Sequence, residues 1–400
     1  MPTAKPRCRR CHQAETDKAP ADPAEGDAGA AVAVAANSLP YPTPTLRKPY
    51  PTVLRRKLSR GNAPFAAIAA VLAVLFCICA PAPSGAAEAL RLVLPIDCDM
   101  AKTCSIQNYV DVDRSAAARD HRCGTLTYDG HQGTDFQLPD LAAMRRGVTV
   151  RAASAGIVRN IRDGIADSGF EYWQKTGTEN TALGNAVAIV HADGSETLYG
   201  HLRQGSVLVH PGDRLAAGQP IGLVGLSGKT QFPHLHFQVM RGGQPVDPFS
   251  GVPAHQADCA KRGTPLWEPS TLAQLDYRAA ISVCSGFAIT VPDRKALQDE
   301  CTSLAVASTN SAALVLFAEI AGVQAGDRLR FAIALPDGTP LLDNAFAVDR
   351  SRARQFRYVG QKRPGRAWPA GRYTSKIELT RPDGPATKHL IDITTSIDLR

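Results

Sequence analysis

The sequence predicts an all-β protein: a compact antiparallel sheet or barrel-like body, followed by a small immunoglobulin-like β-sandwich. Three observations carry this. Between residues 128 and 250, β-branched or alternating runs at 148–153, 156–161, 185–191, 196–201 and 221–225 follow one another between turn residues. The same stretch shows no helical periodicity. Beyond residue 275, the runs 312–319, 327–335, 374–380 and 388–396 alternate like half-buried strands, at the intervals of a small sandwich.

The turn residues support each strand in order. Asp193-Gly194 separates two runs and predicts a hairpin, because both central positions of such a turn need positive φ. Pro336-Asp337-Gly338 and Pro382-Asp383-Gly384 combine a residue that presets φ with one that tolerates positive φ. Residues 163–184 interrupt the strands with a 22-residue polar and glycine-containing segment carrying Phe170, Tyr172 and Trp173. A loop of that length is uncommon in a compact domain, and a role in lining a substrate groove competes with a decorative one.

The chain of 400 residues is long enough for two domains and a leader, and its 44% hydrophobic content supplies a core. Its formal charge of +8 is misleading. Of 45 basic and 37 acidic residues, eleven and five lie in residues 1–60 and none in 61–87, leaving 34 and 32 beyond. A nucleic-acid surface therefore has no compositional support.

The leader reads as a secretory signal over 53–87: Arg55, Arg56, Lys57 and Arg60, an uncharged apolar run over 65–80, then small residues. Sixteen apolar residues are short for a membrane span, so the membrane enters only through an uncleaved signal. Residues 1–52 show no periodicity and fit a start assigned too early, with translation beginning near Val53 or Leu54. Cys8-Arg9-Arg10-Cys11-His12 matches a haem-attachment pattern but precedes the export signal, and is discarded on processing. Export places the protein in the periplasm or outside the cell. There the six cysteines Cys98, Cys104, Cys123, Cys259, Cys284 and Cys301 are expected to pair as disulfides, in an order the sequence leaves open. The expected division is a leader (1–87), a cysteine-containing lead-in (88–127), a first domain (128–250), a linker (251–275) and the sandwich (276–400).

Four of the ten histidines and one aspartate fall into three short motifs. His131-Gln132-Gly133-Thr134-Asp135 sets an imidazole and a carboxylate at i and i+4, one face of an extended segment. His234-Leu235-His236 sets two imidazoles on one strand face, with Leu235, Phe237 and Val239 opposite. His201 ends the predicted strand 196–201. A lone histidine in a strand is usually a satisfied structural residue. Four such polar side chains in strand contexts are costly unless partnered, and a metal partners them. A catalytic zinc takes three protein ligands and keeps one open position, so two imidazoles and a carboxylate suffice and two imidazoles remain. His191 and His210, at strand ends, read as structural; His121, His255 and His389 have no second donor nearby in sequence.

These motifs, taken in order, resemble the lysostaphin-type (LytM-like) zinc metalloendopeptidases of bacterial cell walls. The resemblance covers residues 130–249. It rests on H-x-G-x-D at 131–135, A-A-x-x-G-x-V at 152–158 and G-N-x-V-x-I at 184–189. L-Y-G-H-L at 198–202, G-D-x-L-x-x-G-Q-x-I-G at 212–222 and P-H-L-H-F at 233–237 complete it. It implies zinc held by His131, Asp135 and His236, with His201 and His234 as the catalytic histidines beside the attacked carbonyl. It further implies hydrolysis of the peptide stems of peptidoglycan. Tyr128 is a further candidate for hydrogen-bonding the oxyanion.

Two other readings compete. The same fold occurs as wall-associated modules that activate another hydrolase, typically with zinc ligands lost; here all five polar positions are present. The stretch 212–219 also resembles biotin or lipoate carriers, with Lys229 as attachment point, but the export signal and the H-x-H pair argue against it.

Overall fold

The computed structural model describes residues 89–115, 117–254, 259 and 263–400. The leader, with its cysteine–histidine motif and export signal, and His255 lie outside the described residues. Among the described residues, no helix is long and apolar enough to cross a membrane.

The first half contains strands β1 (Ser105–Asn108), β2 (Thr134–Gln137), β3 (Thr149–Arg151), β4 (Gly156–Arg162) and β5 (Asn185–Val190). It continues with β6 (Glu196–Leu202), β7 (Arg214–Leu215), β8 (Pro220–Leu223), β9 (His234–Arg241) and β10 (Gln244–Val246). The main sheet runs β1-β2-β9-β6-β5-β4-β7, antiparallel throughout, with β10 also paired to β9; β3 and β8 form a separate ribbon. The Asp193-Gly194 hairpin joins β5 to β6, with Gly194 at φ 80°. Leu235, Phe237 and Val239 of β9 and Val187 and Ile189 of β5 enter the main core. Burying a side chain such as Phe237 contributes about 1.5–3 kcal/mol. His234, His236 and Gln238 alternate onto the other face.

Two short helices break the expected all-strand reading. Helix α1 (Leu141–Arg146) is capped by the Asp140 side chain, which accepts from the Ala143 N–H, and ends at Gly147 with φ 88°. Helix α2 (Gly169–Thr176) lies inside the long interruption. At six and eight residues, neither is long enough to show a clear period, and only α1 carries a side-chain cap.

The flanking segments belong to the first core. Leu90, Leu92, Ile96 and Tyr109 of the lead-in, and Leu266, Trp267 and Leu275 beyond β10, are buried in it. Trp267, inside the expected linker and just before helix α3 (Pro269–Leu272), is 1% exposed and packs against Phe136, Phe237 and Phe249. That segment wraps the sheet instead of spacing two domains.

The second half comprises β11 (Ile281–Ala288), helix α4 (Arg294–Asp299), β12 (Val306–Ala307), β13 (Ala313–Val323), β14 (Arg328–Ala334) and β15 (Pro340–Ala347). It ends with β16 (Arg352–Lys362), β17 (Gly371–Asp383) and β18 (Ala386–Leu399). These form two sheets, β11-β13-β16 and β12-β18-β17-β14-β15, antiparallel except for the β12–β18 pair. A second core lies between them, built from Leu314, Leu316 and Ile320 on one side and Phe331, Ile377 and Ile397 on the other. The cysteines pair as Cys98–Cys104, Cys123–Cys259 and Cys284–Cys301. Contacts join the halves: Arg145 donates to Asp299 at 2.7 Å, the Cys301 N–H to the Asp140 carboxylate at 3.0 Å, and the Tyr277 hydroxyl to Asp120 at 2.9 Å.

Candidate metal centre

Strand pairing brings the first and last motifs together. In register, Asp135 of β2 faces His236 of β9, and Gln137 faces His234. His131 is not in a strand; it sits in the turn before β2, with its N–H donating to the Tyr128 carbonyl at 3.0 Å. The i, i+4 convergence on Asp135 therefore comes from that turn, and Gly133 makes it possible. A Cβ on Gly133 would lie 2.6 Å from Cε1 and Nε2 of His236, so only glycine lets that ring approach.

His201 reaches the same face by a local break in alternation. Strict alternation along β6 would put it with Tyr199 on the core side. Its φ of 57° lies in the left-handed region, where the β5–β6 register also shifts. This bulged residue turns the imidazole toward the other histidines. Its ring centroid is 4.6 Å from that of His234 and 5.9 Å from that of His236. A non-glycine residue held at such φ costs on the order of 1–3 kcal/mol, and strain of this kind concentrates at functional sites.

Backbone carbonyls fix three of the four rings. His131 Nδ1–H donates to the Tyr109 carbonyl at 2.7 Å, His201 Nδ1–H to Ser227 at 2.8 Å, and His234 Nδ1–H to Phe232 at 3.0 Å. A carbonyl only accepts, so each Nδ1 carries a proton toward it and each Nε2 is turned to the shared space. Nε2 of His131 then lies 3.2 Å from Asp135 Oδ1 and 3.4 Å from His236 Nδ1, which is 2.9 Å from the same oxygen. His234 Nε2 is 3.5 Å from it. Asn108 on β1 donates to the other carboxylate oxygen at 3.0 Å.

All five residues are buried. Burial opposes the Asp135 charge, but the facing His131 and His234 outweigh it and hold the carboxyl well below the usual range. Burial likewise opposes protonation of His131, yet Asp135 outweighs it and raises the pKa. His201 is pushed well down, first by burial and then by His234 and His236; His236 is lowered chiefly by burial. Tyr128 is 54% exposed, but its ring lies 4.5 Å from that of His131. Enclosure of its hydroxyl, and then the charge of Asp135, raises its pKa.

Among the described residues, two overlapping groups could hold a metal ion: His131, Asp135 and His236, or His201, His234 and His236. The first contains the carboxylate that neutralises a cation and is the one His236 Nδ1 faces. Tetrahedral sites with ligand bonds of about 2.0–2.1 Å need donors roughly 3.3–3.4 Å apart. The observed 2.9, 3.2 and 3.4 Å are close to that spacing.

The other motifs fall elsewhere. His191 is satisfied by the Ala155 carbonyl and the Thr197 hydroxyl, as a structural residue should be. His210 is exposed at 3.8 Å from Asp213. The segment 163–184 packs on residues 225–230, which carry Ser227. Leu226 N–H donates to Asp167, Gly169 N–H donates to Leu226, and Lys229 lies over the Trp173 ring at 4.9 Å. Sequence reasoning missed Asn108, Tyr109, Ser227 and Phe232. Asn108 sits in an irregular lead-in, and the other three act through backbone carbonyls that leave no mark in the residue pattern.

The first half is thus a strand-built body with a buried histidine–aspartate group that could hold a metal ion. Residues 129–248 match Peptidase family M23, and the chain carries an M23 domain of the lysostaphin and LytM type. The relatives differ in role. The DD-carboxypeptidase/endopeptidase Mpg of Neisseria meningitidis is 34% identical over 124 residues, 31% of this chain and 23% of that protein. The murein hydrolase activator EnvC of Escherichia coli is 36% identical over 26% of this chain and 22% of its own length. The peptidoglycan DD-endopeptidase ShyA of Vibrio cholerae is 32% identical over 29% and 22%. The chain thus spans about a quarter or less of these relatives. A zinc-containing peptidase from Vibrio cholerae aligns in structure at 27% identity over 42% of this chain and 41% of its own, with a TM-score of 0.27.

Proposed function

We propose that this protein is an exported zinc endopeptidase that hydrolyses peptide cross-links of bacterial peptidoglycan. On this reading His131, Asp135 and His236 hold the zinc, and His201 and His234 are the catalytic histidines. The observation that carries it is the convergence of the three donors, 2.9, 3.2 and 3.4 Å apart, with two more imidazoles beside them. Residues 128–250 supply the catalytic face, 276–400 the accessory domain, and 1–87 are lost on export.

Zinc held there supplies Lewis acidity, polarising the scissile carbonyl and acidifying water beside it. Burial keeps His201 neutral, so its Nε2 lone pair accepts the proton from attacking water. The Ser227 carbonyl holds the ring in the tautomer that this requires. His234, steadied through Phe232, faces the same space and is placed to hydrogen-bond the oxyanion. Asn108 donates to Asp135 Oδ2 and so orients that ligand.

The likeness to EnvC keeps a second reading alive, a module that activates another hydrolase without catalysis. One experiment separates them: incubate purified peptidoglycan with zinc-loaded residues 88–400 and identify soluble products by mass. Release of cleaved stems is expected. Intact wall in the presence of bound zinc would reject the enzyme and favour the activator.

A further inference from the structure

The sandwich sends one side chain into the catalytic face. Arg354, on β16, is held across β13, where Arg354 registers with Ala321. Its side chain is only 12% exposed. The guanidinium leaves its own sheet and meets the first half. Nε donates to the Gln107 amide oxygen at 3.1 Å, and Nη2 to that of Gln137 at 2.6 Å. Gln137 shares its strand face with Asp135 and registers with His234. The Arg354 Cζ also lies 4.2 Å from the centroid of the Phe232 ring, whose centroid is 4.8 Å from that of His234.

We propose that Arg354 is a positioning residue for His234, so that the C-terminal sandwich is an integral wall of the catalytic face. The chain of contact is guanidinium, Phe232 ring, His234 ring. Phe232 acts twice, because its carbonyl also accepts the His234 Nδ1–H and the Thr230 hydroxyl. A cation over the outer face of Phe232 and two amides gripping its fork hold this aromatic in place. Loss of the cation frees Phe232 to turn, and the imidazole loses its packing partner and the alignment of its hydrogen bond together.

The fork geometry is specific to arginine. A lysine could keep a charge over the ring but not bridge Gln107 and Gln137 from one planar group. The arrangement also differs from an ordinary interface ion pair. The nearest carboxylate, Glu319, is 3.6 Å from Arg354 and bonds Arg294 more closely, at 3.0 Å. Arg145 and Asp299 pair charges across the interface, while the hydrogen bonds Arg354 sends across it go to two neutral amides beside the site.

The inference rests on the catalytic assignment of His234, so its test includes a readout that needs no activity. Full-chain Arg354→Ala, Arg354→Lys and Arg294→Gln are compared with the parent for zinc content, kcat, KM and amide hydrogen exchange. Arg354→Ala should keep its zinc and lower kcat about tenfold or more with KM within about twofold, since a small misplacement of a reacting group is costly. Amides of residues 229–232 should exchange about tenfold faster while those of β5 stay unchanged, the signature of local loosening. Arg354→Lys should fall between, and Arg294→Gln should match the parent. Unchanged exchange at 229–232 in Arg354→Ala would overturn the proposal, as would equal acceleration in β5 or the same effects in Arg294→Gln. If the parent protein proves unable to cut peptidoglycan, the enzyme reading fails, and the exchange comparison alone still decides the role of Arg354.

Discussion

Two buried carboxylates, Asp327 in the sandwich and Asp135 in the first half, are partnered in different ways. In the sandwich, Asp327 is fully buried and gripped by Arg381, at 2.7 Å to Oδ1 and 2.9 Å to Oδ2. Glu319 is bonded by Arg294. In the first half, the partners of buried Asp135 among the described residues are imidazoles and the Asn108 amide. A guanidinium fork satisfies a carboxylate by itself. The imidazoles around Asp135 offer no such fork, and a bound cation would complete the group. The comparison teaches that a buried acid marks a site through what it lacks more than through its burial.

The contrast breaks if the two acids behave alike on removal. The largest effect belongs to the metal group: His131→Ala, Asp135→Ala or His236→Ala should each lose zinc and abolish wall hydrolysis. Metal analysis and product mass measure both, and full turnover by a zinc-free His236→Ala protein would sink the assignment. In the sandwich, Asp327→Ala leaves a mostly buried guanidinium unpaired and should cost about 3–5 kcal/mol of stability. Urea unfolding reads this, with rate per folded molecule unchanged; a large rate loss would mean the sandwich pair is functional.

Two smaller effects sharpen the picture inside the site. His201→Ala should keep zinc and fold but lose about a hundredfold or more in turnover, as removal of a general base does. Loss of zinc along with activity would make His201 a ligand. The mildest change is Asn108→Ala, which frees one carboxylate oxygen of Asp135. Zinc affinity should fall about tenfold, measured by competition with a chelator, and activity should return at higher zinc.

The sequence by itself determined β3 to β6, β8, β13, β14, β17 and β18, the Asp193-Gly194 hairpin and the turns at residues 336–338 and 382–384, but not β11, β15 or β16. Alternation and turn chemistry are local, so they show in a single chain. The H-x-G-x-D and H-x-H motifs were legible for the same reason: their donors sit within a few residues of one another. Helices α1 and α2 escaped because helices this short show no clear period. Tertiary structure alone decided that His201 turns out of its strand's alternation, that Asn108 orients Asp135, and that Trp267 folds back into the first core. It also decided that Arg354 reaches Phe232. These depend on backbone carbonyls and on side chains distant in sequence, brought together only when the sheets pair. A carbonyl belongs to every residue alike, so no pattern of side chains announces which one will hold a ring.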